Sequence, residues 1–157
     1  MGASGSAPDN AEACAIAGYQ HMTALLLSFS LGFVSGLRTF TPLAALFIRR
    51  GSVWGYVLAV LAIAEYVMDV RPDAPSRTAP IGLAARAISG AIVGWTIAEM
   101  HAGSGILGAL AGVVGAMAGA YGGHAARLAA IKRLGEYPAA IIGDLIAIGL
   151  AAFIVTR

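Results

Sequence analysis

Arg38, Glu65, Asp69, Arg77, Arg86 and Asp144 are charged side chains set inside or at the edges of long apolar stretches. A charge within a lipid layer is costly unless paired or wetted, so groups of this kind are expected to face one another inside the protein. Glu65 and Asp69 stand four residues apart and stack on one face of a helix. Arg71-Pro72-Asp73-Ala74-Pro75-Ser76-Arg77 follows as a connector that its prolines keep out of helix. Pro80 restarts a helix at its favoured first position, with Arg86 about two turns inside. In an antiparallel hairpin at 1.5 Å per residue, Glu65 lies roughly 7 Å and Arg86 roughly 9 Å above the connector. Asp144 follows the last basic connector by the same offset, so Glu65, Arg86 and Asp144 are expected at one depth, with Asp69 and Arg77 nearer the surface. Two carboxylates around one arginine leave a net negative charge that a proton or cation can neutralise. The alternative role for the same residues is a brace, one arginine tying helices together.

The elements that carry these groups read as membrane-spanning helices. Of 157 residues, 59% are hydrophobic and only 11% charged, with a mean hydropathy of +0.80; a soluble domain carries about 25% charged residues. Residues 1–20 are small and polar and are expected to form a disordered lead-in to a single transmembrane domain over 21–157. The first span is expected from Met22 to Leu37, interrupted by Arg38-Thr39-Phe40-Thr41-Pro42 and resumed briefly over Leu43 to Ile48. Such a broken or re-entrant helix frees backbone groups that protein or cavity water must satisfy, and breaks of this sort line binding sites in transporters; the alternative is an interfacial elbow with Arg38 snorkelling to the headgroups. Further spans are expected over Val53–Met68, Pro80–Met100, from Gly103, and over Pro138–Val155, giving an all-α bundle of about five crossings. Trp54, Tyr56 and Tyr66 are expected as interface anchors. With five crossings, Arg38, Thr39 and Thr41 fall on the opposite side from Arg77 and form a second gate. The basic residues are nearly balanced between the sides, so the positive-inside rule hardly orients the chain. The outer spans admit an inverted repeat about the middle one.

Gly105, Gly108, Gly112, Gly115, Gly119 and Gly122 recur at three- or four-residue spacing along the fourth span. Small residues at this period let another backbone approach closely, and the partner is either a helix of the same chain or a second copy, as in a homo-oligomer. His124, Arg127, Lys132 and Arg133 then predict a basic amphipathic helix on the membrane surface.

Ser35-Gly36-Leu37-Arg38-Thr39-Phe40-Thr41-Pro42-Leu43-Ala44, together with Pro75-Ser76-Arg77-Thr78-Ala79-Pro80 and Ala85-Arg86-Ala87-Ile88-Ser89-Gly90, resembles the bacterial domain-of-unknown-function 4126 membrane proteins. The resemblance covers roughly residues 24 to 155. It implies an acidic pair before the Pro-Ser-Arg-Thr motif, which Glu65 and Asp69 match, although Val70 stands where that family has Lys. In the last span Gly143-Asp144 stands where it has Glu-Asp. The resemblance implies a bacterial inner-membrane protein and no particular substrate.

Other chemistries find little footing. The chain has no Cys/His metal spacing, no Gly-x-Ser-x-Gly, no phosphate loop and no His-Glu-x-x-His. A membrane enzyme is therefore the third reading, no metal or cofactor is expected, and a net charge of +2 does not suggest nucleic acid. The expected partners are the lipid bilayer, a second copy, and an ion or small polar solute. The expected role is a small transporter or channel passing Glu65, Arg86 and Asp144 on one side and Arg38 on the other. A structural or assembly protein packed through its glycines is the alternative.

Overall fold

The computed structural model describes residues 10–69 and 80–156, which are all-α. In chain order the helices are α1 (Asn10–Leu37), α2 (Phe40–Arg49), α3 (Val53–Asp69), α4 (Pro80–Met100), α5 (Gly105–Leu134) and α6 (Glu136–Val155). Three stretches are long and apolar enough to cross a membrane, Glu12–Leu37, Pro80–Met100 and Gly105–Arg133, rather than the expected five. Phe40–Arg49, Val53–Met68 and Ile141–Val155 are apolar but shorter. At 1.5 Å per residue, 17 residues of α3 reach about 25 Å, against a hydrocarbon layer about 30 Å thick.

α1, α4 and α5 form a tight bundle whose register is set by small residues. A Cβ added at either Gly32 of α1 or Gly90 of α4 would run into the Gly112 carbonyl oxygen of α5, so three backbones converge at Gly112. Gly94 abuts Gly108 in the same way, while Gly115 and Gly119 abut the backbones of Phe29 and Phe33. These pairings make α4 antiparallel to α5 and α1 parallel to it. The glycine stripe thus finds its partners within the chain: Gly108 serves α4, Gly112 both α4 and α1, and Gly115 and Gly119 α1. Gly105 lies against the Trp95 ring, and Gly122 faces open space. Ser28 Oγ adds a hydrogen bond to the Gly94 carbonyl at 2.9 Å.

α2 is the buried element. Leu43 and Leu46 share one apolar cluster with Leu31 and Val34 of α1, Val93 and Ile97 of α4, and Ala147, Ala151 and Ile154 of α6. The chain therefore turns back into the bundle after Leu37 instead of continuing a crossing. α3 runs antiparallel to α2, with Gly55 against Ile48 at one end and Tyr66 bonded to Thr41 at the other. Large apolar side chains cover the outside, among them Val57, Val60 and Leu61 of α3, Leu110 and Val114 of α5, and Leu145 and Phe153 of α6. With buried serines and threonines beside the apolar cluster and large apolar side chains over the outside, the arrangement suits lipid.

The structure corrects three further expectations. Asn10 to Gln20 are helical, forming the first turns of α1; the run from Ala11 to Ala17 is rich in alanine, the best helix former. The basic end from His124 to Arg133 is not a separate surface helix but the continuous last part of α5. The outer spans do not form an inverted repeat about α4: α1 and α5, 28 and 30 residues long, run parallel, where inversion needs them antiparallel.

The glycine register predicts that Gly112→Leu lowers stability by roughly 1–3 kcal/mol or more through overpacking, whereas Gly122→Leu is tolerated. Thermal unfolding of the two variants in detergent, side by side, checks this; equal midpoints would refute the register.

Candidate functional site

The site grows from the break between α1 and α2. Arg38 still closes the helix, its N–H bonding the Val34 carbonyl at 2.8 Å. The next two amides leave the ladder. Thr39 N donates to Glu65 Oε1 at 3.0 Å and Phe40 N to Glu65 Oε2 at 3.1 Å. Pro42 has no N–H to continue the ladder, so the interruption is written locally. One carboxylate thereby satisfies two amides at the positive end of α2, where dipole and charge-assisted hydrogen bonds act together. Ser89 Oγ of α4 donates to the Thr39 carbonyl at 2.7 Å and lies 3.2 Å from Ser35 Oγ. The Thr41 and Tyr66 hydroxyls are hydrogen-bonded at 2.9 Å.

Arg38 then reaches α6. Its Nε donates to Asp144 Oδ1 at 3.0 Å, and a terminal guanidinium nitrogen bonds the same oxygen. The Arg38 side chain is 2% exposed and that of Asp144 22%. The guanidinium carbon sits 4.5 Å over the Tyr66 ring centroid, a cation–π contact. Arg38 thus ties α1 to α3 and α6. On one side of the charge pair is an aromatic face; on the other is a cavity of about 280 Å³ bordered by the end of α1, the C-terminal half of α5 and the first half of α6. Phe33, Leu37, Ile142 and Ile146 give this cavity apolar walls, with Arg38 and Asp144 in its lining and Arg127 also present.

Several expectations are thereby rearranged. Arg38, Thr39 and Thr41 do not form a gate on the far side; they share one site with Glu65 and Asp144. Arg38 takes the central place expected of Arg86. The Asp144 carboxylate is met by Arg38, and that of Glu65 by two backbone amides. Arg86 is buried at 7% exposure, one turn along α4 from Ser89. Tyr66 is no interface anchor but an inner partner of Thr41 and Arg38. Arg77 and the side chain of Asp69 lie outside the described residues. Sequence reasoning misplaced Arg38 because it ran α1 onward into a full crossing; the Thr41-Pro42 signal, taken as a reversal, would have brought Arg38 to the level of Asp144.

Removing one partner of a buried ion pair leaves the other charge stranded, so Asp144→Leu is expected to cost about 3–5 kcal/mol, and Arg38→Met with Asp144→Leu to recover most of that. Denaturant unfolding in detergent measures both; a double variant no more stable than the single one would show the pair to be energetically idle. Glu65→Ala strands the Thr39 and Phe40 amides and is expected to lose about 2 kcal/mol or more, with hydrogen exchange at those two amides as the direct readout.

Comparison of the chain with protein-family models, with curated proteins and with solved structures finds no match in any of the three.

Proposed function

We propose that this protein is a small membrane transporter or channel for an ion or small polar solute, with Asp144 as the exchanging carboxylate and Arg38 as the charge that holds it. The observation that carries the reading is an ion pair inside an apolar bundle whose carboxylate remains partly exposed beside a cavity. A brace alone gains nothing from leaving its acid open, whereas an exchanging group needs that access. The two carboxylates take different roles in this reading. Glu65 has an amide on each oxygen and holds the helix break; Asp144 is engaged through one oxygen and exchanges the proton or cation. A broken helix at membrane depth is tolerated where it is buried in protein or lines a cavity, and substrate sites of secondary transporters commonly use one.

The same proposal places the protein in a bacterial inner membrane and within the family that its Arg-Thr-Phe-Thr-Pro and Pro-Ser-Arg-Thr motifs resemble. A homo-oligomer belongs to it as well, built on the outward face of α3 around Trp54, Val57 and Leu61, since the glycines are used between helices of one chain. The competing reading is structural: the Arg38, Tyr66 and Glu65 contacts tie four helices together and serve stability only.

Reconstitution into vesicles with an internal pH indicator and a set of monovalent cations separates the two. The transport reading expects flux from the wild type, a loss of about tenfold or more in Asp144→Asn with the fold retained, corresponding to about 1.4 kcal/mol in the barrier, and partial rescue in Asp144→Glu. Absence of flux from the wild type, with Asp144→Asn merely unfolding more easily, would leave the brace.

A further inference from the structure

The cavity between α5 and α6 has a feature that the charge pair does not use. Arg38 and Asp144 neutralise one another, yet Arg127 also lines the space, and no carboxylate pairs with it among the described residues. The cavity therefore carries an uncompensated positive charge above walls made of Phe33, Leu37, Ile142 and Ile146. Its depth follows from the helix register. Gly123 lies against the Leu37 side chain, so Arg127, four residues on, sits about 6 Å nearer the end of α5. Lys132 and Arg133 are in the last turn. The cation is thus at the mouth, toward the basic end, with the apolar walls reaching inward past Arg38.

We propose that this cavity holds one acyl chain of an anionic phospholipid, with the phosphate bound by Arg127. The volume of about 280 Å³ suits a single chain rather than a bulky solute, being at the low end of small-molecule pockets. Charge decides the head: basic residues between membrane helices at headgroup level select anionic lipids over zwitterionic ones. Glycines leave the room. A Cβ at Gly122 or Gly143, both in the lining, meets no atom within 4 Å, so α5 and α6 stay apart there without any side chain filling the gap. An acyl chain in this position covers the cavity side of the Arg38–Asp144 pair and has to withdraw from it before Asp144 can exchange. The inference stands on the cavity and Arg127, and it holds whether or not the pair transports.

Delipidated protein in a neutral detergent is titrated with phosphatidylglycerol, with phosphatidylcholine of the same chains, and with decanoate, and retained ligand is counted by native mass spectrometry. One phosphatidylglycerol is expected, preferred over phosphatidylcholine by about fivefold, the factor that one cation at headgroup depth supplies. Arg127→Gln is expected to abolish that preference while chain binding persists; Gly143→Leu fills the cavity and is expected to lose both lipids with the unfolding midpoint unchanged. Ala126→Leu is the second filler should Gly143→Leu fold poorly. Retention of phosphatidylglycerol by both fillers, or no preference over phosphatidylcholine in the wild type, overturns the site. Decanoate binding as tightly as phosphatidylglycerol and with the same Arg127 dependence overturns the bilayer lipid as occupant in favour of a free fatty acid.

Discussion

A helix that breaks inside an apolar bundle must find partners for the amides it releases, and the Glu65 carboxylate on Thr39 and Phe40 answers that requirement. Water is not freely at hand to do so inside such a bundle. A carboxylate suits the place because its oxygens each accept one amide and its charge complements the α2 dipole. With the break held, the chain can turn after Leu37, and the turn sends Leu43 and Leu46 into the cluster shared with α1, α4 and α6. The same turn leaves Arg38 at the corner, directed at α6 rather than at a membrane surface. The ion pair, the Tyr66 contact and the placement of α3 all follow from that corner.

The glycines serve a different requirement. Lipid tails are as apolar as Leu, so there is no hydrophobic gain in pressing two leucine faces together in a bilayer; close backbone approach and hydrogen bonds must hold the helices instead. Gly112 meets α1 and α4 at once, and Gly32, Gly90 and Gly94 complete the junction. This junction consumes the stripe within one chain and makes a rigid frame of α1, α4 and α5. α2 and α6 pack on that frame, and α3 packs on α2. The charge pair lies where the frame meets the added elements, between Arg38 at the end of α1 and Asp144 on α6. A site in that position gains precision from the frame and freedom from α6, which packs loosely enough against the end of α5 to leave a cavity.

The charges divide their labour by how they are held. Glu65 is engaged at each oxygen by backbone that has no other partner, which makes it structural in effect. Arg38 is shut in beneath Tyr66 and cannot leave without exposing an unpaired cation to an apolar interior. Asp144 is the partly open member of the pair. Arg127, nearer the end of α5, stands outside this neutral pair and gives the cavity its sign.

Much of the architecture is legible without coordinates. The apolar composition, the ends of α3 and α4, the interruption before Pro42 and the spacing of the α5 glycines each reflect local rules of helix length, proline chemistry and small-residue period. So does the choice of Arg38, Glu65, Arg86 and Asp144 as residues needing an interior partner, because the cost of a charge in lipid depends on residue type alone. Which charge meets which is another matter. Pro42 says that the helix breaks, not whether the chain then continues or turns back, and those outcomes place Arg38 on opposite sides of the protein. Tertiary packing decided it: the cluster around Leu46 draws α2 into the bundle, Glu65 arrives from α3 to accept the freed amides, and Arg38 is left facing Asp144 across 106 positions of sequence. The glycine period likewise shows that something packs closely, while only the folded chain supplies α1 and α4 as the partners, since backbone approach is a property of two helices and not of one.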